Sequence, residues 1–83
     1  MTIRYELTDT WAGTPNYGWV KRGTITVPQN ATQHKIMREV KKALLLTGVK
    51  FRLRELYNGW EFKPDYFMAI GWITIAELDE AME

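Results

Sequence analysis

The chain has no cysteine, no serine and a single histidine. Without cysteine no disulfide can staple the fold, which removes the extracellular mini-protein class and makes a reducing cytoplasm the simplest expected home. Without cysteine or serine the commonest activated nucleophiles are missing. One histidine and no cysteine leave no ligand set at metal-binding spacing. His34 falls in the first turn of an expected helix with no partner to tune it, so it reads as a surface residue. No glycine-rich phosphate-cradling pattern occurs. Glu55 and Glu61 flank a turn, where facing carboxylates could bind a divalent ion or exchange protons. Nothing near them in sequence resembles an electrophile or a phosphate clamp, so a solvated hairpin end is the better reading.

Long apolar runs are also absent. The uncharged stretch 66–76 falls well short of the roughly 18–20 residues that span a bilayer, and Met1–Glu6 does not open a secretory signal. These absences lead us to expect no catalytic, cofactor-binding or metal-ligating residues, no enzyme activity and no membrane partner.

What is present is a hydrophobic, tryptophan-rich and charge-segregated sequence. Hydrophobic residues make up 46% of 83 positions and four are tryptophan, which argues against a disordered chain. Nine of the eleven basic residues lie between Lys21 and Arg54, a stretch with one acid, Glu39. Four of the ten acids lie between Glu77 and Glu83. The net charge of +1 thus conceals a basic middle and an acidic tail, a distribution that attracts phosphates or acidic proteins over about a Debye length.

Periodicity supplies the elements. Ile3, Tyr5 and Leu7 alternate with Arg4 and Glu6, predicting a strand over 2–8. Gly13, Pro15 and Asn16 mark a loop. A second strand is expected over 17–27, with Trp19, Gly23, Ile25 and Val27 on one face and Gly23 at a bulge or close approach. Asn30 as N-cap, with Gln33 three residues on, predicts a helix over 31–46, ended by Gly48. Val49, Phe51 and Leu53 alternate with Lys50, Arg52 and Arg54 in a strand with one apolar and one basic face. Asn58-Gly59 signals a turn into a strand over 60–63. Pro64-Asp65 precedes a last strand over 66–73, apolar on both faces, with Met68, Ile70 and Trp72 on the outer one. Thr74-Ile75-Ala76-Glu77 forms a capping box for a short helix over 75–82. The expectation is a single α+β domain over 1–83 in the order β-β-α-β-β-β, with a short C-terminal helix. One helix covers one face of a mostly antiparallel sheet, and Arg4, Glu6, Lys50, Arg52 and Arg54 show on the other.

The most distinctive stretch is Trp11-Ala12-Gly13-Thr14-Pro15-Asn16-Tyr17-Gly18-Trp19-Val20-Lys21-Arg22. It resembles a W-x-G-x-x-N-Y-x-W-V-x-R pattern of small uncharacterised proteins from bacteriophages, prophages and their proteobacterial hosts. In those sequences a later helix also ends in a block similar to Leu46-Thr47-Gly48-Val49-Lys50-Phe51-Arg52. The likeness fades after Asp65. It implies a mobile-element setting inside a bacterial host cell and brings no catalytic residues with it. On physical grounds Gly13 and Asn16 would shape the loop while Trp11 and Trp19 stack across the hairpin mouth. The alternative makes Asn16, Tyr17 and Arg22 a recognition patch.

These features point to a phage-type accessory protein that acts by binding a host or phage protein, with inhibition of a nucleic-acid-handling or defence complex as the expected outcome. The candidate contacts are Asn16, Tyr17, Arg22, Lys50, Arg52, Arg54 and Trp72. The alternative is direct nucleic-acid binding through the basic segment 21–54. A homodimer is a further expectation, since an acidic tail can dock on another copy's basic middle.

Overall fold

The computed structural model describes residues 1–81, with side chains described as far as Leu78. The elements are β1 (Thr2–Trp11), β2 (Thr14–Thr26), α1 (Gln33–Ala43), β3 (Phe51–Leu56), β4 (Gly59–Pro64), β5 (Ala69–Ile75) and α2 (Ala76–Ala81). The strands form one antiparallel sheet in the order β2-β1-β5-β4-β3. This is the expected α+β architecture. The last strand returns to the middle beside the first, and α1 links the two edge strands across one face.

Alternation along each strand decides which residues meet α1. Ile3 and Leu7, with Val27, Phe51, Phe62, Ala69 and Ile73, form the sheet side of the core; Ile36, Met37, Val40 and Leu44 form the helix side. Phe62 is fully buried, and its ring stacks on Phe51 at 4.4 Å between centroids. It also lies over Gly71, where a Cβ would run into the Phe62 ring and the Glu6 carbonyl. Gly23 plays the close-approach role expected of it: a Cβ there would meet the Tyr5 ring.

The helix differs from expectation at both ends. Thr32, not Asn30, is the N-cap; its hydroxyl accepts from the Lys35 amide at 3.2 Å. Residues 28–31 are held in a turn by the Ala31 amide donating to Pro28 O, which delays helix entry. At the other end the amides of Leu45 and Leu46 donate to Lys42 O and Lys41 O, the paired bonds of a Schellman stop. The left-handed residue is therefore Leu45 (φ 60), three positions before Gly48. A leucine there carries a Cβ penalty that glycine avoids. Leu45→Gly should raise stability by about 0.5–1 kcal/mol, roughly 4–8 °C per kcal/mol in Tm for a domain of this size, read by thermal melts.

Turns also shift from their expected places. The β1–β2 hairpin turns on Ala12 (φ 52) and Gly13 (φ 81), the two left-handed residues of a type I′ connection. Consequently β1 continues to Trp11, and Pro15 and Asn16 belong to β2. The β3–β4 turn is Tyr57-Asn58, because Leu56 already pairs with Gly59. Gly59 starts β4 where a Cβ would collide with the Ile73 carbonyl. Asp65–Met68 form the next connection, so the last strand begins at Ala69. Met68 is an exposed loop residue, Ile70 is buried and Trp72 is half-buried, not three members of one exposed stripe. The terminal helix starts at Ala76, and its expected end at Met82 lies outside the described residues. It packs beside the start of β1, where Glu77 Oε1 accepts from the Thr2 amide at 2.7 Å, far from Met68.

Candidate binding surface

The sheet face away from α1 is open, and its centre is a cross-strand row. The registers place Arg22 opposite Glu6, Glu6 opposite Trp72, Trp72 opposite Glu61, and Glu61 opposite Arg54. Directly opposed residues project from the same face, so the row reads Arg-Glu-Trp-Glu-Arg over all five strands. Arg54 grips Glu61 with two parallel contacts, Nε and Nη2 each at 3.1 Å, the fork geometry that holds a guanidinium in place. Arg22 lies 3.4 Å from Glu6. Arg52, on the same face of β3, lies 3.3 Å from Asp65. These pairs are largely solvated and add little stability. Their effect is to orient the arginines and balance their charge.

Beside Trp72 the face dips into a hollow of about 560 Å³. Its walls include Arg4, Glu6, Tyr17, Arg22, Trp72 and Thr74. Tyr17 reaches this place because of an irregularity in the hairpin. The register slips after Thr8 pairs with Val20 and resumes where Thr10 pairs with Pro15, leaving Asn16–Trp19 as a bulge opposite Asp9. The Asp9 carboxylate ties the bulge down. Oδ2 accepts from Asn16 Nδ2 at 2.8 Å, and Oδ1 accepts from the amides of Gly18 at 2.7 Å and Trp19 at 3.2 Å. Thr8, a fully buried polar side chain, completes the clasp: its hydroxyl accepts from the Tyr17 amide at 3.0 Å and lies 3.0 Å from Trp19 O. A Cβ at Gly18 would press on the Asp9 carboxylate and push it from its bonds to the bulge. Tyr17 is held at φ 56, an uncommon conformation for an aromatic residue.

The structure thus brings Tyr17, Arg22 and Trp72 together. Arg52 and Arg54 share their face but lie on its far edge. Asn16 supports the bulge through Asp9, and Lys50 lies just before β3, with its carbonyl accepting from the Asp65 amide. The expected Trp11–Trp19 stack does not form: Trp11 is 74% exposed and Trp19 44%, because the bulge breaks the facing register. Glu55 and Glu61 do not face each other either. Glu55 pairs in register with Trp60 while Glu61 pairs with Arg54, and that one-residue offset puts the two carboxylates on opposite faces. Sequence reasoning missed Asp9 altogether; it placed Glu6 on the open face and weighed Glu61 against Glu55, but did not see either as the partner of an arginine. Centring the hairpin on Gly13 would have placed Asp9 across from Asn16.

The Asp9 carboxyl is held below its ordinary pKa, chiefly by the Asn16 amide, with the Trp19 and Gly18 amides and the Thr8 hydroxyl adding against a partial desolvation. Glu39 is lowered mainly by Lys35, 3.1 Å away. Glu77 is lowered mainly by the Thr2 amide. A lowered folded pKa contributes stability above the unfolded value and loses it as pH falls through the folded one. Thermal melts should therefore be flat from neutrality to about pH 5 and decline below about pH 4. Asp9→Ala should flatten part of that decline and speed amide exchange at Gly18 and Trp19.

No protein-family model matches the chain, and neither a curated protein nor a solved structure shows significant similarity to it. Among the described residues no helix is long and apolar enough to cross a membrane.

Proposed function

We propose that this protein is a phage-type accessory protein that binds a host or phage protein through its open sheet face, with Trp72 and Tyr17 as anchors and Arg22 and Arg54 as oriented polar contacts. Inhibition of a nucleic-acid-handling or defence complex is the outcome we assign to that binding. The carrying observation is the pairing of two partly exposed aromatic residues over one hollow, on a face whose arginines are already fixed by carboxylates. Tyrosine, tryptophan and arginine are the residues enriched at energetic centres of protein interfaces, and a preset surface loses less side-chain freedom on binding. The mobile-element setting rests on the resemblance carried by Trp11–Arg22.

Affinity capture from a bacterial lysate, with the intact protein and a Tyr17→Ser/Trp72→Ala variant side by side, tests this reading. A specific protein should be retained by the first and lost by the second, and it should slow amide exchange on β1, β4 and β5. Capture that is indifferent to both substitutions would refute it.

The same geometry argues against nucleic acid as the partner. Arg22, Arg52 and Arg54 already face Glu6, Asp65 and Glu61, which reduces the positive potential available to phosphates. Anisotropy titrations with single- and double-stranded DNA and with RNA at low salt should be flat. A steep, salt-sensitive rise would favour the phosphate-binding alternative.

A further inference from the structure

A second surface lies at the end of the sheet remote from α2. Trp19, Leu44, Leu46, Phe67 and Met68 wall an apolar groove of about 280 Å³, with Lys21 as the one charged residue among its lining. The volume falls just under the roughly 300–1,000 Å³ of small-molecule pockets, and the lining is almost wholly apolar, as suits the side chains of a docked segment. Phe67 and Met68 are 53% and 77% exposed. Leu45, between the groove residues Leu44 and Leu46, and Tyr66, just before Phe67, are still more exposed, and both are held at positive φ (60 and 69). Strain and exposure of large apolar side chains together bring the isolated chain no benefit.

The charge in the groove is basic, and no described carboxylate pairs with Lys21. Lys41 and Lys42, in the last turn of α1, are already engaged: Lys41 lies over the Phe51 ring and Lys42 lies 3.8 Å from Glu39. The complementary chemistry is present in the same chain. Leu78 is 46% exposed and is flanked in sequence by Glu77, Asp79, Glu80 and Glu83. A molecule cannot fill its own groove with this segment. β5 runs from Ala69, in the groove lining, to Ile75, where α2 begins, a span of roughly 20 Å at about 3.3 Å per residue. Glu77 is also fastened to the Thr2 amide at that far end.

We infer that the groove receives the acidic C-terminal segment of a second copy, with Leu78 entering the apolar channel and the neighbouring carboxylates meeting Lys21. Each copy offers one groove and one acidic segment, so two copies lying antiparallel make both contacts and close a twofold dimer. The contact is independent of the open face.

Sedimentation velocity on the full chain at low and high salt (roughly 0.02 and 0.5 M) tests this. The expected result is a dimer at low salt that weakens at least about tenfold at high salt. Met68→Asp, in the groove, and Leu78→Asp, on the acidic segment, should each be monomeric with unchanged circular dichroism. Mixed in equal amounts they should associate again, because one groove and one segment remain intact between them. Trp72→Ala should leave dimerisation unchanged. Lys21→Glu supplies an independent surface variant should either substitution disturb folding, and it should also weaken the dimer. A wild-type chain that stays monomeric at low salt, a dimer that survives both aspartate substitutions, or a mixture that remains monomeric would each overturn the inference.

Discussion

Phe62→Ala is expected to remove most of the folding stability at 25 °C. Truncating a fully buried phenylalanine costs about 3–5 kcal/mol, through lost burial and the cavity left behind. Phe62 is buried, stacks on Phe51 and fills the space over Gly71, so removing it empties the place where β3, β4 and β5 share a core. A chain of this size buries a smaller fraction of its surface than larger domains do, and its total stability belongs near the low end of about 5–15 kcal/mol. The substitution therefore takes most of that stability. A weakened near-ultraviolet dichroism band and a urea transition shifted close to zero denaturant are the expected readout. Phe62→Leu, which keeps most of the volume, should still unfold cooperatively at lower urea. An alanine variant that melts within a few degrees of wild type would show that the core does not depend on this ring.

Trp72→Ala should remove binding to the partner while leaving the fold in place. Trp72 is the centre of the five-residue row and borders the hollow with Tyr17. Loss of a central aromatic anchor costs an interface about 2 kcal/mol or more, which is roughly a thirtyfold weaker Kd. Because the side chain is only half-buried, the loss in Tm should be much smaller than for Phe62→Ala. Trp72→Phe should recover part of the affinity. Arg54→Ala should cost less, since its guanidinium is already engaged by Glu61 at 3.1 Å. Calorimetry against the captured partner gives both numbers. Equal losses for Trp72→Ala and Arg54→Ala would move the centre of the interface from the aromatic pair to the β3 edge.

Legibility of the sequence varied with the range of the forces involved. The β1 alternation and the amphipathic pattern of α1 are local, and the sequence read them correctly as a strand and a helix. The basic face of β3 is also local, and Arg52 and Arg54 do lie on the open face. Signals that compete at short range were misread. Asn30 and Thr32 are both good N-caps, and the Pro28–Ala31 turn decided between them. Gly48 is the better left-handed residue by propensity, but burial of Leu44 with exposure of Leu45 put the helix stop three residues earlier. The candidate site was half legible: Tyr17, Arg22 and Trp72 were nameable from residue type, whereas their meeting depends on contacts distant in sequence.

By itself the sequence determined the element types, their order and the separation of basic middle from acidic end, because each follows from hydrophobic period, turn chemistry and composition. Only the tertiary structure decided that β5 lies between β1 and β4. That single placement sets Trp72 between Glu6 and Glu61, pairs the outer arginines with those carboxylates, and separates the acidic segment from the apolar groove by the length of a strand. Strand order and register are set by long-range packing against α1 and by the Asp9-clasped bulge, and neither is written in any local window of the chain.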